Sequence, residues 1–471
     1  MRLPRWLLPL ALAATASASH VVPFRIHKQR TSGLPLRRRG VPFDEDLANN
    51  LTSGAYFAQV ELGTPGQTLS LHVDTGSTDV WVLSPQTNLC RSSALQSVHG
   101  NCVSTFDSSA SSTFREVEDA DFEIRYLDGS GAEGIYFTDN VNVGGLNVTG
   151  VQMGLARKST SSWGMLGVGY AKNSAARKPY PSIMDNMFDQ GLINIKAYSL
   201  YLNDLEASTG TILFGGIDTE KFYGELKTVK TLPNDNVGHV THFNVSLTSL
   251  TTVSATTEPE EFLISPVPVI LDSGTTLTYL PRTVTGPLFD KINAYDRSSA
   301  TIPIVFVDCA LRTSDPSLVF AYRFGSDDGP VVKVSISDIV FDDVKAYVSA
   351  GIITLPSNLP FPRDRVCSFG ILTSQGGEVH LLGDTFLRSA YVVYDLTNDQ
   401  ISLAQSNMNS TKENIIEIPK GATAIPSVTG QAVPISTLES QHPNSGTRSR
   451  PSFPTALLTC LGVSVFVATV Q

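Results

Sequence analysis

At 471 residues, 41% hydrophobic and only 17% charged, the chain is long enough for more than one hydrophobic core. Its balance, with Gly, Ser and Thr plentiful, suits a β-rich secreted protein better than a helical cytosolic one. A formal net charge of −10, with no Lys/Arg run beside aromatic residues, argues against a nucleic-acid partner.

In chain order, Arg2 and Arg5 precede an apolar segment from Trp6 to Ala14, and Ala16-Ser17-Ala18 offers a small-residue cleavage site. Residues 1–18 therefore read as a secretory signal peptide. The apolar run is too short to span a bilayer. Residues 19–39 are basic, lack periodicity and end in Arg37-Arg38-Arg39. They read as a propeptide cut after Arg39, with a plain basic linker as the alternative.

From about Asp44 to Asn407 the signal is strands and turns. "AYFAQVELG", "LSLHVD", "DFEIRYLDGS", "GTILFGG", "VVKVSI" and "AYVVYD" are short β-branched or aromatic runs bounded by Gly, Asp, Asn or Pro. Alternation in "FEIRY" followed by "LDGS" predicts a hairpin. One helix is expected within Tyr180 to Ile193. The organising feature is a long internal repeat. "LHVDTGSTDVWVL" and "VILDSGTTLTYLP" each run an apolar strand into an Asp-Thr/Ser-Gly turn, at Asp74 and Asp272. Each is followed much later by an apolar pair leading into glycine, Leu166-Gly167 and Leu382-Gly383. The expectation is an all-β dominated, bilobal molecule with pseudo-twofold symmetry, its lobes spanning 40–220 and 221–407.

Such symmetry brings the two carboxylates together at the lobe interface. Two carboxylates about 3 Å apart cannot both ionise cheaply, so the pair holds a shared proton and is acid and base at once. One takes a proton from water while the other hydrogen-bonds a scissile carbonyl. Gly76 and Gly274 allow a sharp turn and offer N–H groups to the carboxylates. Thr75 and Ser273 carry hydroxyls able to reach the opposite lobe, and Ser77 and Thr275 can each donate to their own Asp.

Four sequons, at Asn50, Asn147, Asn244 and Asn409, are candidate glycan sites. Cys90, Cys102, Cys309 and Cys367 are an even set in an exported chain. Three pairings are open, and local closure favours Cys90–Cys102 and Cys309–Cys367. With neither a C-x-x-C nor a His-rich cluster, no metal site and no cofactor are expected. From about Asn407, over 408–443, the chain turns rich in Ser, Thr, Pro, Gly and Gln and reads as a linker that cannot bury enough apolar surface to fold. Residues 444–471 have the layout of a GPI-attachment signal: small residues at Asn444-Ser445-Gly446, a polar spacer to Thr455, and an apolar run from Ala456 to Val470 that contains the fifth cysteine, Cys460. A C-terminal transmembrane helix is the rival, but the run is short and has no basic flank.

Over Ala55 to Ala404 the chain resembles the pepsin-like aspartic proteases, and within them the fungal GPI-anchored, yapsin-like members. The resemblance rests on "YFAQVELGTPGQ", "DTGSTDVWV", "IRYLDGSGAEGIYFTDNVNVGG", "LFGGIDTEKFYGEL", "DSGTTLTYLP" and "LLGDTFLRSAYVVYDLTNDQISLAQ" in that order. It implies an aspartic endopeptidase of pepsin-like fold, with Asp74 and Asp272 as its catalytic dyad and both disulfides as the fungal pattern pairs them. It implies protein or peptide substrates, a GPI-tethered monomer at the outer membrane face, and an acid optimum. Tyr126 matches the aromatic of the flap, the hairpin that covers substrate, and Trp81 the tryptophan that supports it. The flap departs from many relatives at Leu127 and Asp128. Asp128 is either a contact that favours Lys or Arg before the cut, as in similar fungal enzymes, or a solvated turn residue. A glycosidase has no use for the repeated turns, and a non-catalytic binding protein on this fold has no reason to keep both aspartates and their supports.

Overall fold

The computed structural model describes residues 20–29 and 55–432, apart from 205–206, 208, 235, 299–303, 350, 352 and 375–378. The signal peptide, Arg37 to Arg39, Asn50, the end of the linker and the GPI signal with Asn444 lie outside the described residues.

The β-branched and aromatic runs become strands, and most of them join two large sheets. The first ten strands are β1 (Val22–Gln29), β2 (Ala55–Leu62), β3 (Gln67–Asp74), β4 (Val80–Leu83), β5 (Arg115–Arg125), β6 (Gly131–Val143), β7 (Leu146–Ser159), β8 (Gly164–Gly167), β9 (Ala197–Tyr201) and β10 (Thr209–Phe214). They lie in a 13-stranded sheet in the order β9, β10, β1, β2, β3, β8, β4, β7, β6, β5. Beyond β9 that sheet continues through Ala390–Asp395, Gln400–Ser406 and Phe222–Lys230. An 8-stranded sheet holds most of the second lobe, including Asn244–Val253, Val267–Leu271, Thr278–Leu280 and Leu381–Leu382.

The first sheet therefore crosses the expected boundary at 220. Tyr391 and Tyr394 pair with Tyr201 and Tyr198 of β9. At this joint Tyr198 stacks on Tyr394 with centroids 5.0 Å apart, and Phe243 meets Tyr394 edge-on at 4.5 Å. Buried aromatic pairs of this kind bind the lobes beyond simple area burial.

Two segments expected to lie apart from the fold are part of it. β1 falls within the expected propeptide, yet it is an inner strand, antiparallel to β10 on one side and β2 on the other. Val22, Phe24 and Ile26 are buried while Pro23 and Arg25 are exposed, so the segment has the period of two that a half-buried strand requires. The tail after Asn407 also packs. Ile415–Glu417 pairs with Gly216–Asp218, and Ile418 and Ile425 are buried against Ile217, Phe222 and Tyr391. A polar segment that cannot form its own core needs only a few isoleucines to complete an existing one.

The expected helix is shorter than its pattern, running Ile183–Asp189. Ser182 and Asp185 form a capping box at its start, and Gly191, at φ +69, turns the chain after its end.

Both favoured disulfides form, Cys90–Cys102 and Cys309–Cys367. The second closes a separation of 58 residues and the first one of 12. On chain-entropy grounds these are worth roughly 4 and roughly 3 kcal/mol. Replacing each pair by serine should lower the unfolding free energy in that order in denaturant titrations. A greater loss from the short loop would contradict the chain-entropy account.

Candidate active site

The two Asp turns are built alike. β3 ends at Asp74 beside β8, and the Val168 N–H donates to the Asp74 carbonyl at 3.0 Å. In the second lobe Leu271 pairs with Leu382, and the Asp272 N–H donates to the Leu382 carbonyl at 3.1 Å. The Leu-Gly pairs have a steric reason. A Cβ on Gly167 would lie 2.5 Å from the Thr78 carbonyl carbon, and one on Gly383 would lie 2.3 Å from the Thr275 oxygen. Only glycine lets the later strand pass so close to the turn. Gly76 and Gly274 sit in the bend at 75–76 and the turn at 273–274 without adopting the left-handed conformation. Their N–H groups do what was expected, donating to Asp74 Oδ1 and Asp272 Oδ1, each at 2.8 Å.

Hydroxyls complete each carboxylate. Ser77 Oγ donates to Asp74 Oδ2, and Thr275 Oγ1 to Asp272 Oδ2. The lobes then grip each other. Thr75 Oγ1 donates to the Leu271 carbonyl at 3.0 Å and accepts from the Ser273 N–H at 2.9 Å. Ser273 Oγ donates to the Val73 carbonyl at 2.9 Å and accepts from the Thr75 N–H at 3.2 Å. Asp74 and Asp272 are both fully buried. Burial, and for Asp74 also the facing Asp272 charge, holds their carboxyls above the usual carboxylate range.

β5 and β6 make the flap hairpin. The Tyr126 N–H donates to the Ser130 carbonyl, and Gly129 turns at φ +81. Trp81 Nε1 donates to the Tyr126 hydroxyl at 2.7 Å, as expected of that pair. Burial, and next the nearby Asp74, push the phenol's pKa well up, so Tyr126 stays a neutral hydroxyl. Leu127 is partly exposed at the tip. Asp128 is not a solvated turn residue: it is buried, with Oδ1 accepting from the Ser130 N–H at 2.9 Å. Its charge also acts on the Tyr126 phenol.

Asp79, not singled out from sequence, lies under the same hairpin. It accepts from Tyr136 and Tyr180 hydroxyls at 3.1 and 2.7 Å and from the Ala175 N–H at 2.7 Å. Its signal was an acid set directly against the apolar run Val80-Trp81-Val82-Leu83. Asp384, directly after Gly383, is also buried, and burial raises its pKa against the opposing charge of Arg388. Among the sequons, Asn147 and Asn409 are exposed. Asn244 is different: it starts an inner strand opposite Ile270, with its amide oxygen shut from solvent.

Two β lobes gripping each other around a pair of buried, hydrogen-bonded aspartates, with a tyrosine hairpin beside them, define an aspartic protease of pepsin-like fold. The comparisons agree. Residues 55–406 match the family described as eukaryotic aspartyl protease. The probable aspartic-type endopeptidase opsB of Aspergillus fumigatus is 40% identical over 412 residues, spanning 85% of this chain and 78% of that protein. An acid protease of Saccharomycopsis fibuligera is 33% identical, spanning 74% and 80% of the two chains. The aspartic proteinase yapsin-3 of Saccharomyces cerevisiae is 31% identical, spanning 84% and 74%. The chain belongs to the eukaryotic aspartyl protease family and is an aspartic-type endopeptidase.

Proposed function

We propose that Asp74 and Asp272 are its catalytic pair, cleaving peptide bonds in acid by direct attack of water. The observation that supports this most is the matched pair of donors on each buried carboxylate, the N–H of the glycine two residues on and a hydroxyl three residues on. The Ser77 N–H is a further donor to Asp74 Oδ1 at 3.2 Å. With one proton shared, the ionised carboxylate takes a proton from water as its oxygen bonds to the peptide carbon. The protonated partner donates to the carbonyl oxygen. The tetrahedral product collapses as the C–N bond breaks and the nitrogen takes a proton from one carboxyl of the pair. A hydroxyl on the tetrahedral carbon gives its proton to the other as the new C=O forms, which restores the shared proton. The Tyr126 hairpin closes over the substrate and excludes water.

Asp128 favours a basic residue before the scissile bond, because a carboxylate buried beside the flap tyrosine rewards a cation that can pair with it. The chain is exported and loses residues 19–39 on processing, so that β1 leaves its place between β10 and β2. It carries glycans at Asn147 and Asn409, and is held at the outer membrane face by a GPI anchor at Asn444. Among the described residues no helix is long and apolar enough to cross a membrane.

A mixed peptide library at acid pH tests both site and specificity. Wild type is expected to cleave, with Lys or Arg enriched before the cut. Asp128→Ala should lower the ratio of basic-site to hydrophobic-site cleavage by about tenfold, the worth of one partly desolvated ion pair. An unchanged ratio would remove Asp128 from specificity.

A further inference from the structure

The flap hairpin is not paired evenly along its length. Asp121 pairs with Ile135 and Glu116 with Phe137, so the register shifts and Val117 to Ala120 fall opposite Tyr136. Asp119 takes the left-handed conformation there, at φ +55. A bulge of this kind interrupts the ladder and lets the strand bend. β6 keeps its pairing with β7 across this point, Tyr136 against Gly154. β5, the outermost strand of the sheet and the one that leads into Tyr126, does not stay in step.

Tyr136 is also where a buried acid takes hold. Its hydroxyl donates to Asp79 Oδ1 at 3.1 Å, beside the Tyr180 hydroxyl at 2.7 Å, and the Ala175 N–H donates to Oδ2 at 2.7 Å. Tyr180 and Ala175 belong to the body of the lobe and Tyr136 to the hairpin, so the carboxyl ties one to the other. A run of rings carries the tie toward the tip. Tyr136 meets Phe122 of β5 edge-on at 5.3 Å, Phe122 lies 6.1 Å from Trp81, and Trp81 Nε1 holds the Tyr126 hydroxyl.

The two lobes differ at this position. Asp79 stands five residues after Asp74; five after Asp272 is Leu277, equally buried. A buried carboxyl is costly unless donors surround it, and the leucine fills the matching place without that cost. Packing at this position does not require an acid, and the acid stands in the lobe that supplies the Tyr126 hairpin.

We propose that Asp79 is a positioning residue: by holding the Tyr136 hydroxyl at the break in the hairpin, it sets where Tyr126 stands over the cleft. This rests on the reading of that hairpin as the flap. With the hydroxyl released, β5 shifts at its bulge and carries the tip with it.

The test uses full-length enzyme on a peptide it cleaves. Tyr136→Phe and Tyr180→Phe each remove one hydroxyl from the same carboxylate oxygen and keep the ring, so they should lower Tm alike. kcat/KM should fall about tenfold for Tyr136→Phe, the scale of a slight misplacement at the site, and stay within about twofold for Tyr180→Phe. Asp79→Leu should match Tyr136→Phe, and the two together should lose no more than either alone. Asp79→Asn, which keeps an oxygen for the hydroxyl, should recover most of the loss. If Asp79→Leu does not fold, the two Phe variants decide. The inference is overturned if Tyr136→Phe keeps the wild-type kcat/KM. It is equally overturned if both Phe variants lose activity alike, which is what lost buried hydrogen bonding alone would produce. Tyr126→Ala separates this inference from the flap reading. An unchanged kcat/KM in that variant overturns both, whereas an impaired Tyr126→Ala beside an unaffected Tyr136→Phe overturns the inference alone.

Discussion

Asp272→Asn should lower peptide hydrolysis by about 10⁴-fold or more while leaving the fold intact. An amide cannot accept or release the proton that the pair must share, so both acid and base functions go at once. The substitution is isosteric. The Gly274 N–H still finds the amide oxygen, and the Thr275 hydroxyl can turn to accept from the new NH₂ in place of donating to Oδ2. Circular dichroism and thermal unfolding check the fold, and progress curves on a cleaved peptide check the rate. Stability at neutral pH should rise in this variant, because it removes a buried acid that resists ionising. A variant that cleaves at the wild-type rate would dismiss Asp272 from the chemistry.

The second large effect is on stability against pH. Asp74, Asp79, Asp272, Asp343, Asp384 and Asp395 are all raised by burial, Asp343 to about 8. The Asp343 carboxyl is enclosed although its residue as a whole is half-buried: Ser368 donates to Oδ1 at 2.7 Å, and Oδ2 is shut from solvent. Each of these acids binds its proton more tightly folded than unfolded. Their stabilisation is therefore complete below about pH 4, the unfolded value, and is lost as pH rises through each folded pKa.

His72 acts in the opposite sense. Its folded pKa lies below the unfolded value, so its contribution is present above about pH 6.5 and is lost as pH falls toward 3. His380 is lowered by burial in the same direction. The six raised carboxyls outnumber these two imidazoles, and stability should peak in mild acid. The fall from about pH 4.5 to pH 7.5 should be a few kcal/mol, or at least about 5 °C in Tm for a chain of this size. Thermal scans across that range check it. A Tm that rises toward neutral pH would mean that these carboxyls ionise freely in the fold.

The site was legible because its parts are local. Asp74 with Gly76 and Ser77, and Asp272 with Gly274 and Thr275, each make their hydrogen bonds within three residues of the acid, so a short motif carries the geometry. The disulfides were legible for a related reason, since each closes its chain with the nearer partner. The rest depends on surfaces far away in sequence. β1 is a strand because β10 and β2 stand ready on either side of it, and its basic residues hid the alternation of Val22, Phe24 and Ile26. The tail packs because Ile217, Phe222 and Tyr391 leave room for Ile418 and Ile425. Asp79 stands in the first motif, but the Tyr136 and Tyr180 hydroxyls that give it meaning come from elsewhere in the chain. Motif reading finds a residue's neighbours in sequence, and Asp79 acts on neighbours in space.

The central claim is that one proton shared between Asp74 and Asp272 drives hydrolysis, and the pH dependence of kcat/KM tests it most directly. On a peptide that wild type cleaves, measured from about pH 2 to pH 9 under conditions where the fold is intact, the account predicts a bell confined to acid. Its two limbs mark the loss of the first and second protons of the pair. A plateau that persists to about pH 8 would contradict it, because the account needs activity to fall as the pair gives up its shared proton on leaving the acid range.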